Sequence, residues 1–141
     1  LETFLSENAG DSSVLSFAKC LPVPKTYPED DRPGGLAAFV ERITGVSNPT
    51  NAYEWCIANW GTKWDADEPE VRRKRGALEF RFGTAWSPPL AWVLAISEKY
   101  AALLFTLKYG EPGCDFAGQI VIRAGERETE YQCDYGEMWK D

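Results

Sequence analysis

LLFTLKYGEPGCDFAGQIVIRAGERETEYQCDY, residues 103–135, decides the fold class. Leu103–Tyr109 is a short apolar run of the kind that forms a buried strand. Gly110–Gly113 turn the chain, and Phe116–Arg123 and Glu128–Tyr135 then read as a hairpin around Ala124-Gly125-Glu126. Strands that follow one another in this way argue for a mainly antiparallel sheet.

Upstream of this stretch, helices interleave with strands. Ser87-Pro88-Pro89 predicts a helix start, with Ser87 as cap and proline tolerated in the first turn, where a missing N–H has no intrahelical partner. That helix extends to about Tyr100 and buries Val93, Ile96 and Tyr100. Ala77–Trp86 reads as a strand with Leu78, Phe80 and Phe82 on one face. Asp65–Arg75, highly charged and containing Pro69, reads as an exposed connection.

Asn51 and Glu54 have capping-box spacing, so a helix is predicted from Asn51, with a stripe of Tyr53, Cys56, Ile57 and Trp60 and a stop at Gly61. Leu36, Phe39, Val40 and Ile43 predict another helix, ended by Gly45. Pro22–Gly35 is a proline-rich loop, and Val14–Leu21 alternates as a short strand would. Leu1–Ala9 has the spacing of a helix end, and the tail from Gly136 is expected to be exposed. The expectation is one α+β domain over residues 1–141, with helices packed on one face of the sheet. It has a helical insertion at about 36–60 and the C-terminal hairpin at about 116–135.

The chain of 141 residues has a net charge of −7 and no histidine. Ser-His-Asp and Cys-His catalysis and His-containing metal sites are therefore excluded. The overall charge repels phosphate backbones, although residues 71–109 carry seven basic and two acidic side chains, mostly through the run Arg72-Arg73-Lys74-Arg75. Cys20, Cys56, Cys114 and Cys133 are too scattered for a zinc or iron–sulfur ligand run and read as small buried hydrophobes in a reducing cytosol, the alternative being two disulfides in an oxidising compartment. No apolar stretch approaches the roughly 20 residues of a membrane span. No GxSxG, P-loop or GxGxxG motif is present, so neither an enzyme nor a cofactor is expected.

Three clusters stand out. Trp55–Asp65 (WCIANWGTKWD) places three tryptophans across a helix end. They serve either as a core anchor or as an aromatic contact surface with Lys63 and Asp65 adding polar specificity. Thr84–Pro89 (TAWSPP) is a strand-to-helix corner, and Tyr109–Gly118 joins Glu111 and Asp115 through a glycine-rich turn. The candidate interaction surface drawn from these clusters is Trp60, Lys63, Trp64, Asp65, Trp86, Glu111, Asp115 and Phe116.

WCIANWGTKWD, Phe82–Pro89 (FGTAWSPP), Ser97–Tyr100 and Glu111–Gly118, with Phe17-Ala18-Lys19 and Leu21–Pro24, resemble the YubB-like family of phage and conjugative-plasmid proteins. The resemblance runs from about Phe17 to Gly118 and implies a ferredoxin-like domain, a bacterial mobile-element origin and a cytoplasmic setting. It also implies a further strand that would precede Leu1. "Ferredoxin-like" names a βαββαβ topology and carries no cluster. No activity or catalytic residue comes with the resemblance.

The function expected is that of a non-enzymatic accessory protein that binds a host or mobile-element protein. The alternatives are a single-stranded nucleic-acid binder using Arg72–Arg75 beside exposed aromatics, and an acidic mimic of nucleic acid that blocks a host DNA-binding or defence protein.

Overall fold

A carboxylate 48 positions away turns the first described segment into a helix. The computed structural model describes Phe4, residues 15–26, Pro49 and residues 51–140. Within it, Phe17–Cys20 forms α1, where alternation predicts a strand. The Asp65 carboxylate accepts the N–H of Phe17 (2.6 Å) and of Ala18 (3.2 Å) and the hydroxyl of Ser16 (2.7 Å). Orphan donors of a helical turn are thereby satisfied from outside the segment. The predicted helix at 36–43 and most of the opening segment lie outside the described residues; Phe4 is described and is buried, 5.9 Å from the Phe80 ring.

The remaining elements are α2 (Ala52–Trp60), β1 (Asp67–Lys74), β2 (Ala77–Gly83), α3 (Leu90–Lys99), β3 (Phe105–Glu111), β4 (Phe116–Arg123), β5 (Glu126–Cys133) and α4 (Tyr135–Met138). Helices and antiparallel strands mix as an α+β fold should. The chain divides into two compact units, Leu1–Trp92 and Val93–Asp141.

In the first unit, α2 begins where its capping chemistry says. The Asn51 side chain accepts the Glu54 N–H at 2.8 Å, and Gly61 ends the helix at φ +82°. Its inward side is Trp55, Cys56 and Trp60, whereas Ile57 is exposed, a shift of the predicted stripe toward Trp55. The predicted connection at Asp65–Arg75 contains a strand: β1 pairs antiparallel with β2, with Val71 opposite Phe80 and Arg73 opposite Leu78. Charge dominates β1 because only Pro69 and Val71 turn partly inward, and Pro69 sits at a register shift, where a missing N–H is tolerated. The core centres on Phe17, whose ring lies 4.8 Å from Trp92, 5.6 Å from Phe82 and 5.8 Å from Trp60.

The second unit holds the antiparallel sheet β3-β4-β5. Central β4 buries Ala117, Gly118, Ile120 and Ile122, and Ile120 pairs with Leu107. Ala124 (φ +49°) and Gly125 (φ +79°) link β4 to β5, the two positive φ values of a type I′ turn. The buried Ser97 hydroxyl accepts the Gly125 N–H at 2.8 Å and donates to the Leu94 carbonyl at 2.7 Å. A side chain at position 125 would strike Glu98, which gives the Ser97-Glu98 pair a packing role.

The tail from Gly136 is largely exposed, as expected, and begins within α4, which buries no residue. Trp139 stacks on Tyr135 (4.8 Å, 22°) and covers Gly110, where an added Cβ would come within 2.6 Å of the indole. Lys108 Nζ lies 4.9 Å from the Trp139 ring.

Candidate functional site

The two tryptophan-bearing motifs of the first unit are bonded to each other. Thr62 is buried after the Gly61 stop, and its hydroxyl both donates to the Ala85 carbonyl (3.1 Å) and accepts the Ala85 N–H (3.1 Å). The Ser87 hydroxyl donates to the Gly61 carbonyl, and Thr84 donates to the Ser87 carbonyl at 2.8 Å. Ser87 is therefore engaged with the α2 terminus, not spent as a helix cap, and α3 starts at Leu90. Gly61 is required in this corner: its φ is +82°, and a Cβ there would press within 3.2 Å of the Pro88 carbonyl oxygen.

This corner sorts the candidate residues into two groups. Trp60 is 3% exposed and its indole N–H donates to the Leu21 carbonyl at 2.9 Å, so it belongs to the core and not to an open contact surface. Asp65 is occupied as well: besides Ser16, Phe17 and Ala18 it accepts the Ala66 N–H at 2.7 Å. Burial of the thiol and, to a lesser extent, the Asp65 charge both act on Cys56 and push its pKa up, which disfavours the thiolate.

Trp64, 56% exposed, and Trp86, 83% exposed, form the other group together with Lys63. Trp86 adopts φ +68°, a left-handed conformation that costs a non-glycine residue about 1–2 kcal/mol. Lys63 Nζ sits 5.6 Å from the Trp86 ring and 5.6 Å from the Tyr53 ring, in the geometry of a cation held between two aromatic faces. Tyr53 was missed as a site residue; its place in the first turn of α2, on the stripe read as core, gave no signal of this contact.

Glu111, Asp115 and Phe116 lie in the second unit, where the two carboxylates have local structural duties. Glu111 accepts the Gly113 N–H at 2.6 Å, and Asp115, at φ +50°, accepts the Tyr135 N–H at 3.1 Å. Phe116 is part-exposed, with its ring 6.4 Å from that of Tyr109. The four cysteines are free; Cys56 alone is buried and Cys114 is exposed, against the expectation of uniform burial.

The basic run Arg72–Arg75 lies at the β1–β2 hairpin, where much of its charge is matched internally. Lys74 and Arg81 both pair with Glu79, the latter at 2.8 Å, and Arg72 lies 3.7 Å from Glu70. Lys74 and Arg81 together hold the Glu79 carboxyl down at about 2.

Among the described residues no helix is long and apolar enough to cross a membrane, and no group of three His, Cys, Asp or Glu residues is placed to hold a metal ion. No curated protein and no solved structure matches the chain. One family model does: the ferredoxin-like domain in Api92-like proteins, over residues 58–139. The match takes in the Trp60–Trp86 corner and the whole β3-β4-β5 sheet. Covering more than half of the sequence, it shows that the chain belongs to the family of ferredoxin-like domains found in Api92-like proteins.

Proposed function

We propose that this chain is a non-enzymatic protein-binding module that docks a partner on the corner formed by Lys63, Trp64 and Trp86. The observation that carries this reading is Trp86: a large apolar side chain 83% exposed, on a backbone conformation that tryptophan disfavours. Strain of this kind persists where the surrounding structure enforces it and clusters at functional positions. Tryptophan is also enriched among the side chains that dominate binding energy.

The sequence resemblance to YubB-like proteins supports a phage or plasmid origin, with a bacterial cytoplasmic setting and a host or mobile-element protein as partner. The lack of histidine and of any nucleophile motif supports a role without catalysis. Nucleic acid is the poorer partner, because Arg72 and Lys74 of the basic run are paired with Glu70 and Glu79 and the chain as a whole is acidic.

The test compares the parent chain with Trp86→Ala as immobilised bait in lysate of the source cells, alongside a thermal melt and fluorescence anisotropy with labelled oligonucleotides. The expected outcome is a protein retained by the parent and lost from the variant at nearly equal melting temperature, with no oligonucleotide binding at micromolar protein. Equal capture by both baits, or binding of oligonucleotide alone, overturns the proposal.

A further inference from the structure

The chemistry of the corner specifies what the partner must bring. Lys63 has its ammonium between the Tyr53 and Trp86 rings, and among the described residues no carboxylate pairs with it. Asp65, two residues along, makes its hydrogen bonds elsewhere, to Ser16, Phe17, Ala18 and Ala66. The indole N–H groups of Trp64 and Trp86 have no acceptor among the described residues, whereas those of Trp60 and Trp92 both have one. Among the described residues, then, an ammonium without a paired carboxylate stands beside the exposed Trp86 ring and two indole N–H groups without an acceptor, in a chain of net charge −7. Its complement is an anionic acceptor carried beside apolar surface.

Building on the docking role of this corner, we infer that the partner inserts a short peptide segment bearing an Asp or Glu carboxylate next to an apolar side chain. The carboxylate meets Lys63 and an indole N–H, and the apolar side chain lies on Trp86. A carboxylate approaching Lys63 between two rings is partly desolvated, so its charge contributes more there than at an open surface.

The experiment is selection of a random dodecapeptide phage library on the parent chain. Enriched peptides are then synthesised as acid and amide pairs (Asp against Asn, Glu against Gln) and titrated by tryptophan fluorescence against the parent, Lys63→Met and Trp86→Ala. Selected peptides are expected to carry an acidic residue beside an apolar one, and the amide form to bind the parent about tenfold or more weakly. Lys63→Met, which keeps the aliphatic stem, should bind acid and amide alike while retaining the apolar contact. Trp86→Ala should bind neither, and circular dichroism should show all three chains equally folded.

Peptides that need Trp86 but bind equally well as acid and amide overturn this inference and leave the docking role standing. Peptides that ignore Trp86→Ala, or no enrichment at all, overturn the docking role itself. A parent chain that sediments as a dimer while Trp86→Ala sediments as a monomer places a second copy on the corner and overturns the inference.

Discussion

Trp60 and Trp92 belong to one region of the first unit, Trp64 and Trp86 to another, and the same side chain does opposite things in each. The first pair is buried, each indole N–H donates to a backbone carbonyl (Leu21 and Phe17), and both rings pack on Phe17. The second pair is exposed and its N–H groups have no acceptor among the described residues. Only a few residues separate Trp60 from Trp64 in the sequence. The difference teaches that tryptophan content does not identify a contact surface; what does is the exposure of the ring taken together with its indole N–H and the backbone beneath it. Where the N–H is satisfied and the backbone relaxed, the ring is there for stability. Where the N–H is open and the backbone strained, stability does not explain the residue.

The largest effect should come from attacking the buried member of this contrast. Trp92→Ala removes the ring nearest Phe17 and leaves the Phe17 carbonyl without its indole donor. Loss of about 3–5 kcal/mol of unfolding free energy is expected, mainly from the cavity, since the Phe17 carbonyl keeps the Leu21 N–H at 2.9 Å. Urea denaturation followed by circular dichroism measures it. A loss below about 1 kcal/mol would remove Trp92 from the core and weaken the contrast.

A middle-sized effect tests the link between the two regions. Asp65 neighbours the exposed Trp64 in sequence yet ties down α1, which carries Phe17 into the core. Asp65→Asn keeps the shape but replaces one acceptor oxygen with a donor, and the charge-assisted bonds to Ser16, Phe17 and Ala18 cannot all survive. Destabilisation by about 2 kcal/mol is expected, with faster amide hydrogen exchange at Phe17 and Ala18. Unchanged exchange at those two amides would show that α1 stands without Asp65.

This link also marks the limit of what the sequence discloses. Local chemistry was readable at several places where donor and acceptor are close along the chain, though not at Ser87, whose hydroxyl goes to the distant Gly61 carbonyl. Asn51 caps the helix that contains Glu54, Gly61 ends it, and Ala124-Gly125 makes the tight turn between β4 and β5. The three consecutive strands that define the α+β class were readable for the same reason. Asp65 reaching back 48 residues was not, so one helical turn passed for a strand. The charged run over β1 passed for a connection because the pairing that makes it a strand comes from β2.

At the candidate site, the motif that contains Lys63, Trp64 and Asp65 stood out by composition alone. Which of its members are free could not be read, because that depends on Leu21, Ser16 and Ala85, which are far away in the chain. A positive φ at Trp86 was equally hidden, since tryptophan is among the residues least expected there.

The smallest effect is the sharpest test of the contrast. Trp86→Gly removes an exposed ring and relieves a left-handed backbone that costs about 1–2 kcal/mol, a gain offset by the greater freedom of glycine in the unfolded chain and by loss of the exposed contact with Lys63. These contributions are each of order 1 kcal/mol and nearly cancel, so unfolding free energy should stay within about 1 kcal/mol of the parent. The same deletion of an indole would thus be costly at position 92 and almost free at position 86. A drop of about 3 kcal/mol in Trp86→Gly would mean that Trp86 packs as its buried counterparts do, and its exposure would then no longer require a partner. A near-zero change leaves the strained tryptophan without a stabilising role, and binding is the remaining physical reason for it to be there.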